Sequence, residues 1–162
     1  MNYRHGYHAG NFADVVKHIA LVAILMHLRK KEKPFAVIDT HAGRGCYDLR
    51  DHASLATGEF KAGIQRLESE IETLPYMPSV SHAAAMPSPP AALQMYLYVV
   101  SESGWQRYPG SPLIAAKLQR PVDRLVAVEK HPEEAAILRK TLAGCRRVTI
   151  EEAAGEARLA KL

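Results

Sequence analysis

The sequence predicts an α/β fold with a doubly wound parallel sheet, and three observations carry that prediction. Phe35 to Ile38 is an apolar run that ends in Asp39 and breaks at once into a loop holding Gly43 and Gly45. A buried parallel strand feeding a glycine turn has this pattern. Leu125 to Val128 is a second apolar run closed by an acid, Glu129. Around these runs apolar residues recur at helical spacing, the alternation expected of strands joined by crossover helices.

The elements follow in order. Asn11 is placed to cap a helix with Asp14 in its first turn. Val15, Ile19, Val22 and Met26 give residues 13–31 one apolar face, and Pro34 stops the helix before the first strand. Residues 58–73 (GEFKAGIQRLESEIET) predict a second helix with Phe60, Ile64, Leu67 and Ile71 on one side. Pro75 to Pro90, rich in Pro, Ser and Ala, reads as a loop. Leu93 to Val100 fits a helix or a strand. Tyr108-Pro109-Gly110 reads as a turn, and Ser111 as the cap of a helix to about Leu118 with Pro112 at its first position. Pro132 to Leu142 predicts a helix, Val148 to Ile150 a short strand, and the closing residues another helix. No segment repeats.

Composition narrows the functional classes. A chain of 162 residues, 48% hydrophobic, is enough for one domain with a real core. No apolar stretch reaches the roughly 20 residues that span a bilayer. The longest candidate, Ile19 to Leu28, contains His27 and runs into Arg29, Lys30 and Lys31. The opening MNYRHGYHAGN has no signal-peptide core. Cys46 and Cys145 make neither a disulfide framework nor a zinc pattern, so a reducing cytoplasm is the expected setting. A net charge of +4 permits a polyanionic partner.

Three constellations carry chemistry. The dinucleotide fingerprint requires a third glycine at position 48, where Asp48 stands, which argues against NAD or FAD. A strand-end acid before a short Gly-x-Gly loop suits S-adenosylmethionine better, because its sulfonium and amino groups are cationic; a purely structural strand-turn has the same pattern. In such a fold the acid closing the second strand reaches the ligand's ribose, the role open to Glu129. That acid normally lies about 20 residues past the glycines, whereas Glu129 is 84 positions past Gly45, so an inserted subdomain must intervene. Without one, Glu129 is a surface acid beside Lys130. Finally, YRHGYHAGNFADVVKH packs three histidines, two tyrosines, Arg4 and Lys17 into 16 residues. His5 and His8 lack a third ligand, so no metal is expected. Arg4 and Lys17 suit phosphate, with Tyr3 or Tyr7 stacking on a base, unless the segment is an ordinary polar arm.

YRHGYHAGNFADVVKH, IDTHAGRGCYDL, Thr57-Gly58-Glu59, YPGSPLIA (Tyr108 to Ala115) and VEKHP (Val128 to Pro132) occur in that order. Together they resemble the bacterial RlmJ family of 23S rRNA adenine N6-methyltransferases. The resemblance implies a Rossmann-like class I fold dependent on S-adenosyl-L-methionine. It divides the chain into residues 1–46 (arm, helix, first strand and Gly loop), an inserted helical subdomain at 47–110, and a continuation of the methyltransferase domain at 111–162. It implies cofactor contacts from His18 near the methionine moiety, His41 in the loop, Ser111, Glu129 at the ribose, and Gly155. Tyr3, Arg4 and Lys17 are the expected substrate residues, with 23S rRNA the partner, no membrane and no metal; oligomeric state stays open.

Two departures qualify the resemblance. Where the family has Ala-Asp-Gly, this chain reads Ala153-Ala154-Gly155, so a carboxylate expected at the cofactor's adenine end is missing. The family's Asp-Pro-Pro-Tyr, which grips the target adenine, is absent, so no catalytic residue is assigned and the chain is expected to be C-terminally truncated. Ser88-Pro89-Pro90-Ala91 lacks the stacking aromatic. The alternative expectation is a non-catalytic fragment that binds cofactor or nucleic acid only.

Overall fold

The structure, a computed structural model, describes residues 5–73 and 90–160. Tyr3, Arg4 and the expected loop from Pro75 to Pro89 lie outside the described residues. The elements are α1 (Phe12–Leu28), β1 (Ala36–Asp39), β2 (Cys46–Asp48), α2 (His52–Thr57), α3 (Ile64–Thr73), α4 (Ala91–Ser103), β3 (Arg107–Pro109), α5 (Ser111–Leu118), β4 (Arg124–Glu129), α6 (Pro132–Thr141), β5 (Val148–Glu152) and α7 (Gly155–Leu159). Short 3-10 turns lie at His5–Tyr7 and Glu59–Ala62.

Strands β1, β4 and β5 form a parallel sheet in that order, with Val37 opposite Leu125 and Leu125 opposite Val148. Leu125, Ala127 and Val128 are fully buried, as a central strand covered on both faces requires. The apolar side chains of α1, α4 and α5 share one core around Val22, Leu25, Tyr96, Val100 and Ile114. Each fully buried aliphatic side chain there contributes about 1.5–3 kcal/mol. Among the described residues no helix is long and apolar enough to cross a membrane.

Asn11 caps α1 as expected, its Oδ1 accepting the Asp14 N–H at 2.9 Å. The helix ends at Leu28 rather than residue 31. The Arg120 guanidinium instead takes the carbonyls of Lys31 and Lys33, while buried Asp123 binds Arg120 and the Phe35 N–H. Arg120 holds the Asp123 carboxyl well below the usual range. This clamp fixes the entry to β1.

Three further expectations need correction. The helix expected over 58–73 is broken into the Glu59–Ala62 turn and α3, because the Gly63 backbone lies against Gly10 and Asn11, with no room for a Cβ. A further helix, α2, precedes it. Tyr108 and Pro109 are strand rather than turn: β3 pairs antiparallel with β2, Tyr47 opposite Tyr108, forming a neck through which the intervening segment leaves and rejoins the sheet. Ser111 does not cap α5; Gly110 holds that position, and the Ser111 hydroxyl is donated to Asp39. The ambiguous Leu93 to Val100 is part of helix α4.

Candidate functional site

A cleft of about 1150 Å³ opens at the carboxyl ends of β1 and β4, where ligands bind in open α/β sheets. Its floor is built by β4. The Val128 carbonyl accepts the Ala42 N–H at 3.0 Å, and the Glu129 carbonyl accepts the Ala153 N–H at 3.1 Å, so loops from both neighbouring strands hang on two adjacent residues. The Glu129 side chain, 7% exposed, repeats the pattern. Its Oε2 accepts the Gly43 N–H at 2.8 Å and its Oε1 the His131 N–H at 2.8 Å. A carboxylate has about four acceptor sites, so two backbone donors leave capacity for ligand hydroxyls.

The glycine loop is held from three directions. Gly43 has φ +59°, and a Cβ there would run into the Tyr47 hydroxyl. Arg44 forms a two-point ion pair with Glu134 of α6, with Nε to Oε2 at 2.8 Å. The Thr141 hydroxyl donates to the Arg44 carbonyl at 3.0 Å. Gly43→Ala should therefore cost about 2 kcal/mol through backbone strain and displacement of Tyr47. Thermal unfolding of the variant measures it, and an unchanged midpoint would refute this account of the turn.

Asp39 accepts the Ser111 hydroxyl at 2.6 Å and the His41 N–H at 3.2 Å. Burial raises its carboxyl pKa, opposed by the Ser111 hydrogen bond. The His41 side chain points outward, 76% exposed, with Nδ1 3.0 Å from Thr40 Oγ1. Gly155 opens α7 where any Cβ would run into the Thr40 carbonyl, so a larger residue would push α7 away from the loop after β1. Ala154 and Gly155 both line the cleft.

The opposite wall comes from α1. Asp14, 1% exposed, accepts from His5 Nε2 at 2.9 Å, Lys17 Nζ at 3.0 Å and the Gly10 N–H at 3.2 Å. Burial works against its charge, but the hydrogen bond from His5 and the cation of Lys17 outweigh it and bring its pKa down to about 2. His18 lies one turn on, with Nδ1 2.8 Å from the Tyr108 hydroxyl, which is 3.1 Å from that of Tyr96. Burial lowers the His18 pKa to about 4, so its imidazole is neutral at pH 7.

The structure thus brings His18, Lys17, His41, Ser111, Glu129 and Gly155 to one cleft. His5 and His8 part company: His8 Nδ1 lies 3.0 Å from Glu59. Among the described residues no group of three or more His, Cys, Asp or Glu is placed to hold a metal. Sequence reasoning missed Asp14 as the anchor of His5 and Lys17, although its i, i+3 spacing to Lys17 was a usable signal. It also missed Arg44–Glu134, whose partners are 90 positions apart.

A family model described as "RsmJ: Ribosomal RNA large subunit methyltransferase D, RlmJ" matches residues 32–162. Ribosomal RNA large subunit methyltransferase J of Escherichia coli K12 is 40% identical over 159 residues, covering 96% of this chain and 51% of that protein. Its namesake in Haemophilus influenzae is 37% identical over 156 residues, covering 93% and 50%. The chain spans about half the length of the curated relatives it matches. A crystal structure of a Legionella pneumophila protein of family DUF519 superposes with a TM-score of 0.77 at 35% identity, covering 95% of this chain and 52% of that one. With the cleft's geometry and a family match over most of its length, the chain belongs to the RlmJ family of ribosomal RNA large subunit methyltransferases.

Proposed function

We propose that the cleft binds S-adenosylmethionine and serves methylation of N6 of an adenine in 23S rRNA. The observation that carries this reading is the Glu129 carboxylate, pinned between the glycine loop and the His131 turn with acceptor capacity left over. The donor set fits the cofactor. Glu129 accepts the ribose hydroxyls, the Ser111–Asp39 pair and neutral His18 face the methionine end, and the Asp14 carboxylate offsets the Lys17 charge that would oppose the sulfonium. His41 stands at the rim. The side chain of Ala154 offers no hydrogen bond, so the adenine end rests on the backbone of Ala154 and Gly155.

When bound, the cofactor supplies a methyl group that passes to the adenine amine as the amine loses a proton. The chain's residues orient the donor and exclude water from it. Tyr3, Arg4 and Lys17 are assigned to the RNA, and residues 47–110 to a helical subdomain inserted in the methyltransferase sheet. These 162 residues contain no Asp-Pro-Pro-Tyr to orient the amine, which favours a second reading: binding of cofactor or nucleic acid without turnover.

Calorimetry with S-adenosylmethionine, beside transfer of labelled methyl to protein-free 23S rRNA, tests both. The expected result for this chain alone is cofactor binding without transfer. Turnover would locate the amine-orienting groups within these residues and exclude the second reading. Failure to bind the cofactor would overturn the assignment of the cleft.

A further inference from the structure

A second cleft, of about 610 Å³, adjoins the neck. It falls within the range of about 300–1,000 Å³ typical of small-ligand sites. One short segment walls both clefts: Asp48, Asp51 and Ser54 line the first, and Leu49, Arg50 and Leu55 line the second. We propose that the second cleft receives an unpaired nucleobase of the same RNA strand that presents its target adenine to the first. This inference rests on the reading of the first cleft as an RNA-modifying site.

The lining suits a base rather than a phosphate chain. Trp105 and Phe60, each partly buried against the core, place aromatic rings in its wall, and Gln65 and Gln106 bring amides that can both donate and accept. Charge is nearly balanced. Asp48 takes Nε and Nη2 of Arg50 at 2.9 and 2.6 Å, and the lining holds Glu68 as well as Arg107. A near-neutral cleft gains little from counterion release, so stacking and edge contacts carry the binding. Polar amides interleaved with the aromatics also interrupt the continuous apolar stripe that a docked protein helix needs. The shared wall supplies the link: a strand with one nucleotide in the first cleft needs only to cross the 48–55 segment to reach the second.

Trp105 is the chain's only tryptophan, so its fluorescence reports this cleft alone. The experiment titrates the whole chain, with S-adenosylmethionine present, with a dye-labelled single-stranded oligoribonucleotide of mixed sequence. Dye anisotropy reports binding anywhere, and Trp105 emission reports the cleft. Emission should be quenched with the same midpoint as the anisotropy change. Trp105→Leu should weaken RNA binding by about 5- to 100-fold, the equivalent of one lost base stack, with cofactor affinity unchanged. Gln106→Ala, an exposed change at the rim, should weaken RNA binding while keeping the quench, and stands in if Trp105→Leu fails to fold. RNA binding with silent Trp105 emission would overturn this inference alone, and would leave the cleft to another occupant, such as a protein segment. Equal quenching by a duplex of the same length would also overturn it. No anisotropy change would overturn the RNA reading of the first cleft as well.

Discussion

Glu129→Ala should weaken S-adenosylmethionine binding by about a hundredfold, or about 2.8 kcal/mol, while lowering thermal stability far less. Two losses add. Hydrogen bonds from the ligand hydroxyls to a charged acceptor are each worth about 1.5–3 kcal/mol. The Gly43 and His131 N–H groups also lose their common acceptor, so the glycine loop and the turn before α6 are no longer held at one spacing. Both donors border an open cleft, where water can replace the carboxylate, so folding suffers less than binding. Glu129→Gln should fall between, since an amide oxygen can satisfy one N–H but its NH2 opposes the other. Calorimetry on the three proteins, alongside their melting temperatures, decides. Equal affinities, or an affinity loss matched by unfolding, would remove Glu129 from the binding role.

Acid sensitivity is the second large effect, and it comes from His18. Its pKa falls from 6.5 in the unfolded chain to about 4 in the folded one, because burial beside Tyr108 disfavours the charged form. Between those values the unfolded state binds a proton that the folded state refuses, so stability rises with pH across this window. Stability is complete above pH 6.5 and declines by about 3 kcal/mol as pH falls to about 4, at roughly 1.4 kcal/mol per unit. Asp14, with a pKa near 2, adds its own loss only below the ordinary carboxylate range. Urea unfolding at neutral pH and near pH 4.5 should show the decline in the native chain and a flatter dependence in His18→Gln, whose amide can still bond the Tyr108 hydroxyl. Parallel pH dependences in the two proteins would refute it.

Much of this site was legible because its signals are local. The apolar run into Asp39 and the run into Glu129 are strands whose neighbours in sequence announce them, and Asn11 caps α1 through a residue three positions away. The neck was hidden for the opposite reason. Strands β2 and β3 have three residues each, too few to show alternation, and Pro109-Gly110 carries turn chemistry that only the pairing with Cys46 overrides. Gly63 breaks the expected helix because of a tertiary approach to Gly10, which no helical periodicity records. Ser111 satisfied every local rule for a cap. Its hydroxyl was claimed instead by a carboxylate 72 positions earlier.

The clamp at the entry to β1 has a kinetic consequence. The Phe35 N–H waits for Asp123, 88 positions later, and the pairing of β1 with β4 spans the same interval. Closing so long a loop costs chain entropy before any sheet contact rewards it. Helix α1 and the neck can organise earlier, whereas β1 holds no parallel partner until β4 arrives. On an emerging chain this leaves Val37 and Ile38 uncovered through the synthesis of every residue in between. The cleft at the strand ends, whose floor is β4, therefore forms only after this long loop has closed.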